Sequence, residues 1–292
     1  MDILKQLIEL FPYAVMGSIL AGAICAFLGI FVTSQRVVFL GAVLTEVSIA
    51  GVAFSFLHLL NLETLISSLF GITLSENSFM HHFEPTFFSL LFAVIAVLIF
   101  SQTYTQKFLT QDGILGIIFV IATAARIMFI QKSPVAEVSE IESILKGDIL
   151  FIGAKEFYTL LVIMIFTVAV FTIFSKQLKF VTFDPESASA HGLNAQTWLL
   201  FFYLFVGIGI SLTTRFVGDV FAFAYLIIPS SIGILLGRKV WQVFLIALII
   251  GTAVPPLSLF LAFKYDFSSG PMAVAVAFLL FIISYVTKRT LI

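Results

Sequence analysis

Glu46 is the residue whose chemistry differs most from its surroundings. It lies in the stretch GAVLTEVSIAG (Gly41–Gly51), inside a run from Val37 to Leu60 that is otherwise apolar or small. A helix through this run places Ala42, Ala50 and Ala53 on the same face as the carboxylate, with Ala42 and Ala50 one turn away on either side. This arrangement leaves room beside Glu46 for water, an ion or an approaching helix.

Two further ionisable residues, Arg126 and Asp219, lie inside or near the ends of apolar segments. An ionisable group at the bilayer centre costs about 2.5–3.5 kcal/mol on insertion scales, so each should face the protein interior, an opposite charge or water. Arg126 is a candidate ion-pair partner for Glu46, or it extends towards the membrane surface. Asp219 follows Arg215 and Gly218, which favours a local ion pair or a helix cap. For Glu46, a structural ion pair and a place in a substrate pathway are both open.

The composition indicates that the bilayer surrounds these residues. Of 292 residues, 61% are hydrophobic and 11% are charged, with a mean hydropathy of +1.16. Soluble domains have about 25% charged residues. We therefore expect an all-α fold, a polytopic membrane helix bundle, as a single domain over residues 1–292. The net charge of −1 gives no support for a nucleic-acid partner, and the single cysteine, Cys25, excludes an internal disulfide.

Nine segments are apolar and of a length suited to the bilayer. They are Phe11–Val32, Val37–Leu60, Thr86–Tyr104, Gly113–Ile130, Phe157–Phe174, Thr197–Leu212, Phe216–Leu236, Val240–Phe263 and Pro271–Val286. A broken helix at Thr213–Phe216 would reduce the number to eight. With a cytoplasmic C-terminus, eight Lys and Arg side chains lie inside and six outside. Small residues at helical spacing predict close packing of the first segment, at Ser18, Gly22, Ala26 and Gly29.

The loop over residues 176–194, KQLKFVTFDPESASAHGLN, has the signals of a short capped helix. Asp184 is a good N-cap, Pro185 suits the first helical position, and Glu186 complements the positive helix end. Gly192 suits the position just beyond the C-terminus. We predict a helix over residues 185–191. Because isolated helices this short are marginal in water, the loop is either a docking element for another protein or a surface turn.

The same loop carries a family resemblance. FDPESASAHGLN (Phe183–Asn194) resembles the D-P-E-x-A-x-x-x-G loop of the permease subunits of bacterial zinc, manganese and iron ABC transporters, matching Asp184, Pro185, Glu186, Ala188 and Gly192. Four further stretches resemble motifs of that family in the expected order. They are RVVFLGAVLTEVSIAG (Arg36–Gly51), GDIL (Gly147–Leu150), VGDVFAFAYLIIPSSIGILL (Val217–Leu236) and YDFSSGP (Tyr265–Pro271).

The resemblance implies a multi-pass subunit of a bacterial cytoplasmic membrane that pairs with a second copy or with a sister permease. It implies two cytoplasmic ATPase subunits, which hold the ATP and Mg, and usually an extracytoplasmic metal-binding protein. The loop from Asp184 to Gly192 would be the coupling element against the ATPase. This chain itself would bind no cofactor, and its sequence contains no P-loop, so ATP hydrolysis would belong to partner chains.

The second apolar segment departs from the family pattern. The family has an Asp and, four residues later, a His, a pair suited to a divalent ion; here these positions are Ala42 and Glu46. The family's proline before the closing glycine is Ala50. The resemblance implies a substrate pathway at Glu46, Ala42, Thr45 and Ala50, with Glu46 the candidate metal ligand. Two facing copies of Glu46 would suit a hard or borderline cation, or would share one proton.

The sequence thus favours the permease of an ATP-driven importer for a divalent metal ion or metal chelate, working by alternating access. One alternative is a divergent ABC permease that carries a non-metal substrate, or that has become a non-transporting membrane subunit. The altered Asp–His pair motivates this alternative. Another is an ATP-independent secondary transporter or channel that uses Glu46 for proton coupling.

Overall fold

The computed structural model describes residues 7, 9–57, 79–103, 110–133, 149–183 and 185–290. The regular structure in these ranges is helical, and a short 3₁₀ turn, Ile149–Phe151, precedes the fifth α-helix. The α-helices are α1 (Pro12–Ser34), α2 (Phe39–Ser55), α3 (Phe79–Thr103), α4 (Gln111–Lys132), α5 (Ala154–Ile173), α6 (Ser175–Phe183), α7 (Pro185–Ala190), α8 (Ala195–Val217), α9 (Asp219–Leu236), α10 (Val240–Tyr265) and α11 (Ser269–Thr290).

Nine of these helices are the predicted membrane segments. Within the described ranges, eight are long and apolar enough to cross a bilayer, and α2 is an apolar helix of 17 residues. The all-α polytopic bundle is therefore confirmed. The predicted break at Thr213–Phe216 is wrong in position, because α8 continues to Val217. The chain breaks at Gly218, whose φ of 82° is a conformation that glycine adopts without strain, and α9 starts at the next residue.

Helix α1 is largely buried within the bundle, and its contacts show the directions in which the neighbouring helices run. At its middle, the backbone of Gly22 touches Gly251 of α10, and near its end Phe31 packs on Phe244 of α10, with ring centroids 5.4 Å apart. These two helices are therefore antiparallel. In contrast, Gly29 touches Leu226 of α9, and one turn later a hydrogen bond of 2.9 Å joins Thr33 and Ser230, so α1 and α9 run in the same direction.

Helix α2, which carries Glu46, lies between α3 and α4. Near its start Phe39 packs against Phe119 of α4, and near its end Phe54 packs against Phe129, so α2 and α4 are parallel. The end of α2 also packs against the beginning of α3, where the rings of Phe54 and Phe88 lie 5.1 Å apart. Helices α2 and α3 are therefore antiparallel. Glu46 stands near the middle of α2, about 10 Å along the axis from its start.

The ends of the bundle differ in charge. The end formed by the α1–α2 turn, helices α6 and α7, the α9–α10 turn and the C-terminus carries seven described Lys or Arg side chains, at Arg36, Lys176, Lys179, Arg238, Lys239, Lys288 and Arg289. The opposite end carries four among the described residues, at Lys132, Lys155, Arg215 and Lys264. By the positive-inside rule the first end is cytoplasmic.

Two glycines of α1 allow its backbone to contact the backbones of α9 and α10 directly. A Cβ atom added at Gly29 would overlap the Leu226 carbonyl oxygen of α9, and one at Gly22 would overlap the Gly251 carbonyl oxygen of α10. Close backbone approach through small residues is the usual way in which membrane helices associate, because lipid is as apolar as their side chains. The predicted packing role of Gly22 and Gly29 is confirmed, and it brings α10 and α9 next to α1.

Candidate functional site

Three ionisable side chains from three helices meet inside the bundle. Nε of Arg126 on α4 lies 3.0 Å from Oε1 of Glu46 on α2, and Nη1 of Arg126 lies 3.7 Å from Oδ2 of Asp219 on α9. The predicted pairing of Glu46 with Arg126 is therefore confirmed. The guanidinium group contacts both carboxylates, so Asp219, although it is the first residue of α9, lies near the depth of Glu46.

The cluster is buried at Glu46 and partly buried at Arg126 and Asp219, and it carries a net charge. The exposed fraction of the side chain is 7% for Glu46, 21% for Arg126 and 18% for Asp219. Two carboxylates and one guanidinium give a formal charge of −1 when all three are ionised. Oε1 of Glu46 is fully buried and accepts no hydrogen bond, so its contact with Arg126 is an ion pair without hydrogen-bond geometry. The cluster thus retains a capacity to bind a further positive charge or a hydrogen-bond donor.

Asp219 also has the local role that the sequence suggested. Its Oδ1 accepts a hydrogen bond of 2.6 Å from the backbone N–H of Val220, at the start of α9. Backbone N–H groups in the first turn have no partner inside the helix, and a carboxylate there complements the positive end of the helix. The same side chain therefore stabilises the helix start and, through Oδ2, contacts Arg126.

A cleft of about 430 Å³ opens beside the cluster, on one side of the single chain. Its walls come from α2, α4, α9 and α11, and its polar lining consists of Thr45, Glu46 and Asp219. The rest of the lining is apolar, with Ala42, Phe119, Val220, Phe223, Ala224, Ile227, Ile228 and Val274. Val220 is 48% exposed, so the cleft is accessible from outside the chain. An apolar cleft with a few convergent polar groups is the usual form of a small-molecule site.

Three of the four predicted pathway residues lie together in this cleft, namely Ala42, Thr45 and Glu46. The fourth, Ala50, is buried and lines a separate apolar depression between α2, α3 and α4. The helical period explains this separation, because eight residues along an α-helix turn the side-chain direction by about 80°. Ala50 therefore faces the side of α2 that packs on α3, while Ala42 faces the cleft.

The described residues contain no group of three or more His, Cys, Asp or Glu side chains that could hold a metal ion. Glu46 and Asp219 are the two acidic groups at the cleft, and Arg126 lies between them. Oxygen ligands suit hard divalent cations that keep several waters, such as Mg²⁺ or Mn²⁺. One chain therefore presents two carboxylates at the cleft, and Arg126 contacts both of them.

For Asp219 the sequence predicted only a local ion pair or a helix cap, and not its contact with Arg126 on α4. Helix periodicity says which face of a helix a residue occupies, but not which helix lies against that face. A usable signal was present, because Glu46, Arg126 and Asp219 are the ionisable residues inside or at the ends of the apolar segments. Charged groups in membrane helices commonly pair with one another.

The predicted coupling helix is α7, at the cytoplasmic end. It ends in a Schellman motif, where the N–H of Leu193 donates to Ala188 O and the N–H of Gly192 donates to Ser189 O, with φ of 84° at Gly192. Ala188 is fully buried and seats α7 on the bundle, whereas residues 189–192 are exposed. Asp184 lies outside the described residues, as do the side chains of Pro185 and Glu186.

Comparison with known proteins matches residues 8–288 to the model of the ABC 3 transport family. A probable iron transport system membrane protein of Haemophilus influenzae is 23% identical, over 97% of this chain and 93% of its own length. The manganese import system permease protein ScaB of Streptococcus gordonii is 22% identical, over 93% of this chain and 89% of its own length.

The fold is also similar to that of a solved structure, PsaBC from Streptococcus pneumoniae in complex with Fab. The two chains superpose with a TM-score of 0.77 at 19% sequence identity, and the match covers 97% of this chain and 94% of the other. The family model matches nearly the whole length, with the ordered motifs and the polytopic bundle in agreement. The chain therefore belongs to the ABC 3 transport family, as a multi-pass membrane subunit.

Proposed function

We propose that the chain is the permease subunit of an ATP-driven importer for a divalent metal ion or metal chelate in a bacterial cytoplasmic membrane. The observation that carries this proposal is the match of residues 8–288 to the ABC 3 transport family. Relatives named for iron transport and manganese import support the class of cargo. The chain itself is no enzyme in this proposal, since ATP with Mg is bound and hydrolysed by partner subunits.

The cargo passes beside Glu46. Two observations support this assignment: Glu46 lies at mid-depth in the bundle, and it lines a cleft that opens to the outside of the single chain. A second copy of the chain, or a sister permease, packed over this opening would close the cleft into a path. Two carboxylates per chain would then line that path. An extracytoplasmic metal-binding protein delivers the cargo to the opposite end of the bundle.

The ATPase subunits dock on the cytoplasmic end at α7. The exposed residues 189–192 support this, together with the match of Asp184 to Gly192 to the family's coupling loop. Because Ala188 of α7 is buried against the bundle, a displacement of α7 is transmitted to the bundle by direct packing. ATP binding would move α7 and rearrange the helices around the cleft, which gives alternating access.

The test is co-purification of the chain with its ATPase, followed by uptake of radioactive Mn²⁺ into proteoliposomes. We expect uptake that requires ATP, and we expect Asp184→Lys and Gly192→Trp to lose the ATPase. Gly192→Ala is the matched control, because it adds the same backbone strain without a bulky ring, and no atom lies within 4 Å of that position. Assembly that survives both substitutions would contradict the coupling assignment. Uptake by the chain alone without ATP would contradict the ATP-driven mechanism.

A second candidate is an ABC permease for a non-metal substrate, or a subunit that transports nothing. The ion pair between Glu46 and Arg126, with Ala42 at the family's Asp position, favours this alternative. Glu46→Ala separates the two candidates. A metal importer should lose most of its uptake with this substitution, whereas unchanged metal uptake would favour the second candidate.

A further inference from the structure

Arg126 occupies the position that a cation cargo would need. Its guanidinium group lies between Glu46 and Asp219, at 3.0 Å and 3.7 Å from their carboxylate oxygens. We propose that Arg126 is a specificity-determining residue, a tethered counter-ion that a cargo cation must displace and that thereby excludes monovalent cations. This inference rests on the proposed function, and it identifies which cations can use the site.

Arg126 offsets part of the negative charge of the two carboxylates, but its contacts with them are weak enough to be exchanged. Its contact with Oε1 of Glu46 lacks hydrogen-bond geometry, and 3.7 Å to Asp219 is too long for a hydrogen bond. Its side chain is 21% exposed, so it is not enclosed by packed neighbours on every side. The guanidinium group can therefore turn away from the two carboxylates without opening a packed core.

The sum of the charges in the cluster predicts which cations can displace Arg126. With Arg126 in place, the two carboxylates and the guanidinium sum to −1. If a monovalent cation replaces the guanidinium, the sum is still −1, so the exchange brings no electrostatic gain. If a divalent cation replaces it, the sum is 0. Na⁺ and K⁺ therefore have no electrostatic advantage over a guanidinium group that is already tethered at the site, whereas a divalent cation gains one further unit of charge neutralisation when it displaces Arg126.

A purely structural ion pair would behave differently. In that case Arg126 would join α4 to α2, and its loss would lower stability without changing the binding of cations. The readouts that separate the two roles are the affinity for a divalent cation and the sensitivity of that affinity to monovalent cations. Rescue by Arg126→Lys is a third readout, because lysine keeps the charge.

The experiment uses the full chain in nanodiscs of phosphatidylcholine, whose headgroups are neutral overall. Mn²⁺ binding is measured by titration calorimetry at constant ionic strength, with NaCl or KCl replacing N-methylglucamine chloride. We expect Arg126→Gln to bind Mn²⁺ about tenfold more tightly than the unsubstituted chain, and to lose that gain as Na⁺ or K⁺ increases. Arg126→Lys should resemble the unsubstituted chain. Arg126→Gln with Glu46→Gln should lose the added affinity, and Arg215→Gln is the control for removal of an arginine elsewhere.

Each outcome decides the question. An Mn²⁺ affinity of Arg126→Gln within twofold of the unsubstituted chain, with the same response to Na⁺ and K⁺, would overturn the inference. If Arg126→Gln does not fold, Asp219→Asn replaces it, and an unchanged Mn²⁺ affinity in that variant overturns the inference equally. Failure of the proposed function has a different result: ATP-driven uptake of Mn²⁺, Zn²⁺ and Fe²⁺ is absent, while the binding differences among the Arg126 variants persist.

Discussion

The ion pair between Glu46 and Arg126 should be measurable as an energetic coupling in a double-mutant cycle. The cycle consists of Glu46→Gln, Arg126→Gln and the double variant. Glu46→Gln removes charge at nearly constant volume, and Arg126→Gln removes the guanidinium charge with a side chain shorter by two heavy atoms. The two side chains come from different helices and touch through Nε and Oε1 at 3.0 Å. Any coupling in the cycle therefore reports a tertiary contact between α2 and α4.

The structure gives the expected magnitudes. At 3.0 Å and an effective dielectric constant of about 20, the Coulomb attraction is about 5–6 kcal/mol, and at the 3.7 Å to Asp219 it is about 4–5 kcal/mol. Desolvation offsets much of this attraction. Arg126→Gln leaves two buried carboxylates without a counter-ion and should cost about 3–5 kcal/mol. Glu46→Gln leaves Arg126 paired with Asp219 and should cost about 2 kcal/mol. The double variant should be about 1–3 kcal/mol more stable than the sum of the single changes.

The assay is reversible unfolding of the full chain in mixed micelles with increasing SDS, followed by tryptophan fluorescence. Two results would refute the reasoning. A coupling energy below about 0.5 kcal/mol would mean that the two charges do not interact across the helices. A larger cost for Glu46→Gln than for Arg126→Gln would mean that Asp219 is not the second partner of the guanidinium group.

Two further predictions concern the packing that builds the cleft. Gly29→Ala should lower the free energy of unfolding by about 1–3 kcal/mol, because the added Cβ would overlap the Leu226 carbonyl oxygen. Gly116→Ala is the control, since no atom lies within 4 Å of a Cβ at that position. Equal melting temperatures for the two variants would contradict the prediction. Ser211→Ala removes hydrogen bonds of 3.1 Å to Ser48 and 2.7 Å to Ser89, both of which are buried. Because those two serines still bond to each other at 2.6 Å, the loss in unfolding free energy should be only about 0.6 kcal/mol, and a loss above about 2 kcal/mol would argue against it.

Much of the fold could be predicted from local properties of the chain. A run of about 20 apolar residues forms a membrane helix largely by itself, because every backbone group must be paired inside the segment. The nine predicted segments are accordingly nine helices. Their ends were harder to predict, since capping and tertiary contacts extend or shorten a helix by a few residues. Gly218 is the clearest case, where one residue with positive φ separates α8 from α9.

Helix α7 was predictable for the same reason. Its signals are local in the chain, and Gly192 adopts the positive φ that its position beyond the helix end requires. The buried position of Ala188 was not predictable, because it depends on how α7 lies against its neighbours.

By itself, the sequence determined that Glu46 lies on a helix inside the membrane, with small residues on one face, and that it needs a partner. Hydropathy and the period of 3.6 residues are properties of a single segment, and they suffice for this. Only the tertiary structure decided that Arg126 pairs with both Glu46 and Asp219, that Ala50 faces away, and that a cleft opens beside the cluster. These features depend on which helices are neighbours. Backbone contacts at glycines such as Gly29 decide this, and they join residues far apart in the chain.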